Sequence, residues 1–178
     1  MGLSVYPPSS GVTTSDLITV PRGTYIAATS TASSNISFTN IPQTYRALRL
    51  YVYVTSTAGT VRVRMNNNTS FNHTIFHQGN IASTPTALRY NNSDGFIMPS
   101  NDAGSDVIFY MEIQNYTQTN ELKPVVGNVF SSGISGQGTF MFNGVWPGLA
   151  AITGINIVNS QGNTVTPTEY GVNLYGVK

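Results

Sequence analysis

Seven carboxylates and two histidines are the residues of this sequence that could move a proton or hold a metal. The acids are Asp16, Asp94, Asp102, Asp106, Glu112, Glu121 and Glu169. General acid–base chemistry needs two positioned carboxylates, or a carboxylate with a histidine. Asp94, Asp102 and Asp106 crowd into the loop NNSDGFIMPSNDAGSD (91–106). Aspartates in such places cap backbone N–H groups in turns and at strand starts. The loop lacks the alternating ligands and closing Glu of a calcium site. His73 and His77 lie four apart, about 13 Å along a strand at ~3.3 Å per residue, too far to share one metal. No third ligand is near them in sequence, so they read as hydrogen-bonded or exposed histidines. No GxSxG elbow appears, and the hydroxyl residues are too many to single out a nucleophile. The chain has no cysteine, which removes the thiolate nucleophile, the thiolate metal site and any disulfide framework. No enzyme activity, catalytic residue, metal or cofactor is expected.

The wider composition points the same way. Charged residues make up 8% of the chain, against about 25% in ordinary globular proteins. Eight basic and seven acidic residues leave a net charge of +1, no footprint for nucleic acid. Asn, Thr, Ser and Gly supply the polarity instead. Such a surface suits a protein packed against neighbours, where unpaired charges are costly to desolvate. It also suits one that meets sugars through amides and aromatics. N-x-[S/T] sequons, among them those at Asn35, Asn68, Asn72 and Asn91, are what chance supplies in such a sequence. No apolar run reaches the roughly 20 residues that span a bilayer, so no membrane partner is expected. The start, MGLSVYPPSSG, lacks the charged-then-apolar order of a secretory signal and has Tyr6 where myristoylation wants Ser or Thr.

The elements that must position any site are strands. Residues 1–23 stand apart as an extended N-terminal arm: Pro7 and Pro8 favour a polyproline conformation, and Leu17, Ile18 and Val20 form a short sticky run before Pro21. The expected arm contacts are Tyr6, Pro7, Pro8, Leu17, Ile18 and Val20. From Thr24 to Lys178 period two dominates. Strands are expected over 24–29, 35–41, 46–56, 60–66, 74–80, 87–90, 95–100, 106–116, 123–132, 138–146, 153–159 and 169–177, with PGLAAI (147–152) as at most one helical turn. A dozen short strands in one domain of 24–178 predict an all-β, antiparallel β-sandwich, jelly-roll-like in its specific form.

One strand raises a question of its own. Over 46–56 it puts Leu48, Leu50, Val52 and Val54 on one face and Arg49, Tyr51 and Tyr53 on the other. Strand 60–66 alternates Val61, Val63 and Met65 with Arg62 and Arg64. The short connection makes the two strands hairpin partners, so one outer face is expected to carry Arg49, Tyr51, Tyr53, Arg62 and Arg64. Tyr and Arg are enriched where proteins dock, which makes these five the candidate interface.

The same region carries a family resemblance. ISFTNIPQTYRALRLYVYV (36–54) resembles the opening of small β-sandwich structural proteins in virions of tailed bacteriophages, especially those of cyanobacteria and marine bacteria. VRVRMNNNTSFNHTIFHQGN (61–80), EIQNYTQTN (112–120), WPGLAAITGINIVNSQGN (146–163) and the ending YGVNLYGVK (170–178) are similar to later segments of that family. The likeness spans about residues 24 to 178 and brings no catalytic motif.

The resemblance implies a virion structural protein on the phage particle surface, made in the host cytoplasm. The chain opens at Met1 with only a short arm and no fibre stalk, which favours a capsid decoration or cement protein that binds and stabilises the head shell. Its partners would be the major capsid protein and sister subunits, a homotrimer being the plausible assembly. The alternative is a tail-fibre or tip protein recognising host surface glycans, with Tyr51, Tyr53 and Trp146 stacking on sugar rings.

Overall fold

Alternating side chains put one face of each strand against a partner sheet, and the chain folds accordingly into two facing antiparallel sheets. The computed structural model describes residues 23–56, 59–69, 72–78, 88–98, 104–132 and 138–178, with backbone alone at 72–78 and 88–93. The expected arm contacts Tyr6, Pro7, Pro8, Leu17, Ile18 and Val20 lie outside the described residues, as do Asp16 and Asp102.

The strands, in chain order, are β1 (Thr24–Thr29), β2 (Asn35–Phe38), β3 (Ala47–Ser56), β4 (Val61–Met65), β5 (Asn72–Gln78), β6 (Leu88–Ser93), β7 (Phe96–Met98), β8 (Ser105–Gln114), β9 (Lys123–Ser131), β10 (Gly138–Trp146), β11 (Ile155–Asn159) and β12 (Val165–Val177). The larger sheet has eight strands in the order β1-β12-β3-β8-β9-β10-β5-β6, and the smaller has four in the order β2-β11-β4-β7. His73 and His77 fall on β5. The pairs β1–β12, β2–β11, β3–β8 and β4–β7 nest inside one another along the chain. The body is therefore a long antiparallel ribbon wound on itself. The β9–β10 and β5–β6 pairs extend the larger sheet.

Between the sheets lies one core. Leu48, Leu50, Val52 and Val54 of β3 and Val107, Phe109, Met111 and Ile113 of β8 are buried. They face Val61, Val63 and Met65 of β4 and Ile155 and Ile157 of β11, also buried. Burying each such side chain stabilises the fold by about 1.5–3 kcal/mol.

One expected pairing is corrected. β3 and β4 are not a hairpin: β3 lies between β12 and β8 in the larger sheet, and β4 between β11 and β7 in the smaller. The chain crosses from one sheet to the other there. Gly59, at φ 77, fits against Asn159 and Ser160, and a Cβ on it would come within 2.9 Å of both side chains. Ser160 Oγ accepts from the backbone N–H of Thr60, and Asn159 Nδ2 donates to Ser56 Oγ. The alternation within each strand fixes which side chains turn inward but says nothing of the neighbouring strand. Residues 147–152, where at most one helical turn was expected, hold none. β12 also begins at Val165, earlier than the 169 expected, with a register break between Pro167 and Val172.

Candidate functional site

The winding separates the five expected interface residues onto opposite outer faces. Arg62 and Arg64 stand on the smaller sheet and close on Asp94. Arg64 donates to its carboxylate through Nε at 2.7 Å and Nη2 at 2.5 Å, and Arg62 through Nη1 at 3.2 Å. Beside them Asn156 Nδ2 donates to Asn35 Oδ1 and Ser37 Oγ. This outer face satisfies much of its own polarity.

Arg49, Tyr51 and Tyr53 stand on the outer face of the larger sheet, whose character differs. Register aligns Asn173 of β12, Tyr51 of β3, Tyr110 of β8, Asn128 of β9 and Met141 of β10 in one row across five strands. The next row holds Tyr175, Arg49, Glu112 and Val126. Rings pack edge on face along these rows. Tyr25 meets Tyr175 at 5.8 Å and 75°, Tyr175 meets Tyr51 at 5.7 Å and 89°, and Tyr51 meets Tyr110 at 5.1 Å and 46°. Such offset and edge contacts suit the ring quadrupole and hold each ring in place.

The charges here cancel one another. Arg49 Nε donates to Glu112 Oε2 at 2.9 Å, and the Tyr110 hydroxyl donates to the same oxygen at 2.8 Å. Burial alone would raise the Glu112 pKa, but the hydrogen bonds from Tyr110 and Arg49 outweigh it and hold the carboxyl below its ordinary value. The Tyr110 phenol is pushed up to about 12, first by burial and then by its bond to Glu112. The bond to Glu112 raises Arg49. A carboxylate held ionised by two donors is a poor proton shuttle. Among the described residues no group of three His, Asp or Glu could hold a metal ion.

Tyr51 and Tyr53 form a ridge with a depression on each side. One, of about 160 Å³, is lined by Tyr51, Tyr53, Tyr170, Asn173 and Tyr175. The other, of about 250 Å³, runs over Ile108, Tyr110, Asn128, Phe130 and Thr139. A third, of about 430 Å³, continues over β9 and β10, lined by Tyr110, Val126, Gly127, Asn128, Met141, Phe142 and Asn143. Its floor is Gly127, where a Cβ would strike the Tyr110 carbonyl and the Phe142 ring. Met141 is 66% exposed and Val126 43%.

Trp146 does not belong to this surface. It is only 2% exposed, a core side chain, so it cannot stack on a sugar and that expectation is corrected. Its ring instead packs on Lys123, whose ammonium lies 5.5 Å from the ring centroid. Sequence reasoning missed Tyr110, Tyr170 and Tyr175, which complete the site. Alternation in 106–116 marks Tyr110 as outward, but only the register sets it beside Tyr51.

No protein-family model, curated protein or solved structure matches the chain.

Proposed function

We propose that this chain is a virion structural protein of a tailed phage, jelly-roll-like in its ribbon winding, and that it serves as a capsid decoration or cement subunit. The observation that carries the reading is the uncharged apolar shelf on the β8–β10 side of the larger sheet. Met141 and Val126 are well exposed there, above a depression of about 430 Å³ that, among the described residues, no charged side chain lines. Exposed apolar patches mark docking sites, and methionine and aromatic rings are enriched in them. The low charge of the whole chain fits a surface that is desolvated on assembly. The partners on this reading are the major capsid protein and sister subunits, with a homotrimer as the expected assembly.

Sedimentation of the purified chain with heads that lack it tests the proposal. Met141→Glu should cut association at least about tenfold, since a buried unpaired carboxylate costs more than the ~1.4 kcal/mol that factor represents. Wild-type chain that fails to sediment with heads, or a Met141→Glu chain that binds as well as wild type, overturns it.

A second reading, a tail-fibre or tip protein that recognises host surface glycans, is favoured by the Tyr51–Tyr53 ridge and its flanking clefts. Imaging of the intact particle separates the two, because one places the chain on the head and the other on the tail.

A further inference from the structure

We infer that the cleft between Tyr51, Tyr53, Tyr170, Asn173 and Tyr175 binds a neutral sugar ring of a glycan chain. The inference rests on the second reading only in taking a sugar as partner, and it holds whether the subunit sits on head or tail.

The cleft is built by a break in a strand. Pairing of β12 with β3 is interrupted between Pro167 and Val172. Gly171 turns there at φ 62, and a Cβ on it would come within 2.8 Å of the Thr29 carbonyl. Such bulges re-aim side chains. This one lifts Tyr170 out of the ladder, 64% exposed, and packs its ring against that of Tyr53, centroids 5.3 Å apart at a tilt of 51°, so that the two rings together border the cleft. Both walls are fixed from behind: Asn173 Nδ2 donates to the Tyr170 carbonyl at 2.7 Å, and Thr168 Oγ1 to the Tyr53 carbonyl at 3.3 Å. Binding would therefore cost little ordering.

The lining chooses the ligand. Aromatic faces are negative and attract the weakly positive C–H bonds of a sugar ring. Phenol and amide groups supply the donors and acceptors that hydroxyls need. Among the described residues no cation lines the cleft. Arg49 is committed to Glu112, and Glu169, close to the Tyr170 hydroxyl, adds negative charge at the rim. An acidic or sulfated sugar would be repelled, so the cleft suits a neutral one. The second depression beyond the ridge, bordered by Asn128 and Thr139, can take the next sugar of the chain.

The test titrates the full chain with neutral gluco-, galacto-, manno- and N-acetylglucosamine oligosaccharides, and with oligogalacturonate and sialyllactose, read by tyrosine fluorescence and ligand-observed NMR. At least one neutral sugar should bind, more tightly than either acidic one. Tyr170→Ala should weaken it about tenfold at unchanged melting temperature, as the loss of one stacking ring does, and Asn173→Ala, which removes an amide partner for the hydroxyls, should weaken it too. No neutral sugar bound, an acidic sugar preferred, or undiminished binding by Tyr170→Ala overturns the inference. Self-association that Tyr170→Glu abolishes, with no sugar bound, also overturns it and gives the cleft to a second copy. Association with heads, read at Met141, is a separate measurement, so failure here leaves the decoration proposal standing.

Discussion

Lys123 is fully buried, a rare state for a lysine unless its charge is satisfied. Its ammonium has three donors and uses them on three backbone carbonyls: Glu121 at 2.7 Å, Leu149 at 2.9 Å and Gly148 at 3.0 Å. The Trp146 ring lies beside it. Burial pushes its pKa down, and the charge of Glu121 opposes that shift. One side chain thus pins the approach to β9 onto the segment after β10. Lys123→Ala strands three carbonyls and opens a void, and should cost about 3 kcal/mol in urea unfolding. Lys123→Met keeps the stem against Trp146 and should cost less. A Lys123→Ala chain as stable as wild type would show that the three bonds contribute nothing net. The run NELKPVV gives conflicting signals on whether this lysine is buried. Its period-two position points it inward, but its type argues the other way, and only the carbonyls brought from residues 148 and 149 resolve the conflict.

Pairing of β3 with β8 sets Arg49 opposite Glu112 and Tyr51 opposite Tyr110. These cross-strand partners give the larger sheet a pH dependence at both ends. Glu112 has a depressed folded pKa, so its contribution stands above the ordinary carboxylate value and is lost as pH falls through the folded one. Tyr110 is raised to about 12, so its contribution is complete below the ordinary phenol value near 10 and is lost as pH climbs from about 10 to about 12. Tyr110→Phe should therefore flatten the alkaline decline of the urea midpoint between pH 10 and 12. An unchanged alkaline limb would mean that Tyr110 titrates alike folded and unfolded. Both strands were legible in the sequence, and for β3 so were the inward and outward faces. Their adjacency was not, because no local signal ties residue 51 to residue 110.

At the scale of the whole molecule the ribbon winding makes the last strand central. β12 lies between β1 and β3, is the described partner of β1, and gives Val165, Val172 and Leu174 to the core. Ending the chain at residue 164 removes those contacts together, exposes one edge of β3 and leaves β1 unpaired. Such a chain should show no cooperative thermal transition by circular dichroism, and a sharp melt near that of the full chain would sink the account. The same closure predicts slow folding, since pairing Leu48 with Gly176 must close a very long loop.

The sequence by itself determined the class: strands with one apolar face each, few charges and no cysteine, and hence a sandwich held without disulfides. It set Tyr51 and Tyr53 facing outward, because side-chain direction in a strand depends only on parity. The tertiary structure decided who their neighbours are. It sent Arg62 and Arg64 to the far side with Asp94, buried Trp146 over Lys123, and brought Tyr170 across a bulge to complete the cleft. Parity is a local property of the backbone. Adjacency between sheets is settled by which distant apolar faces exclude water together, and that competition is decided by the whole chain at once.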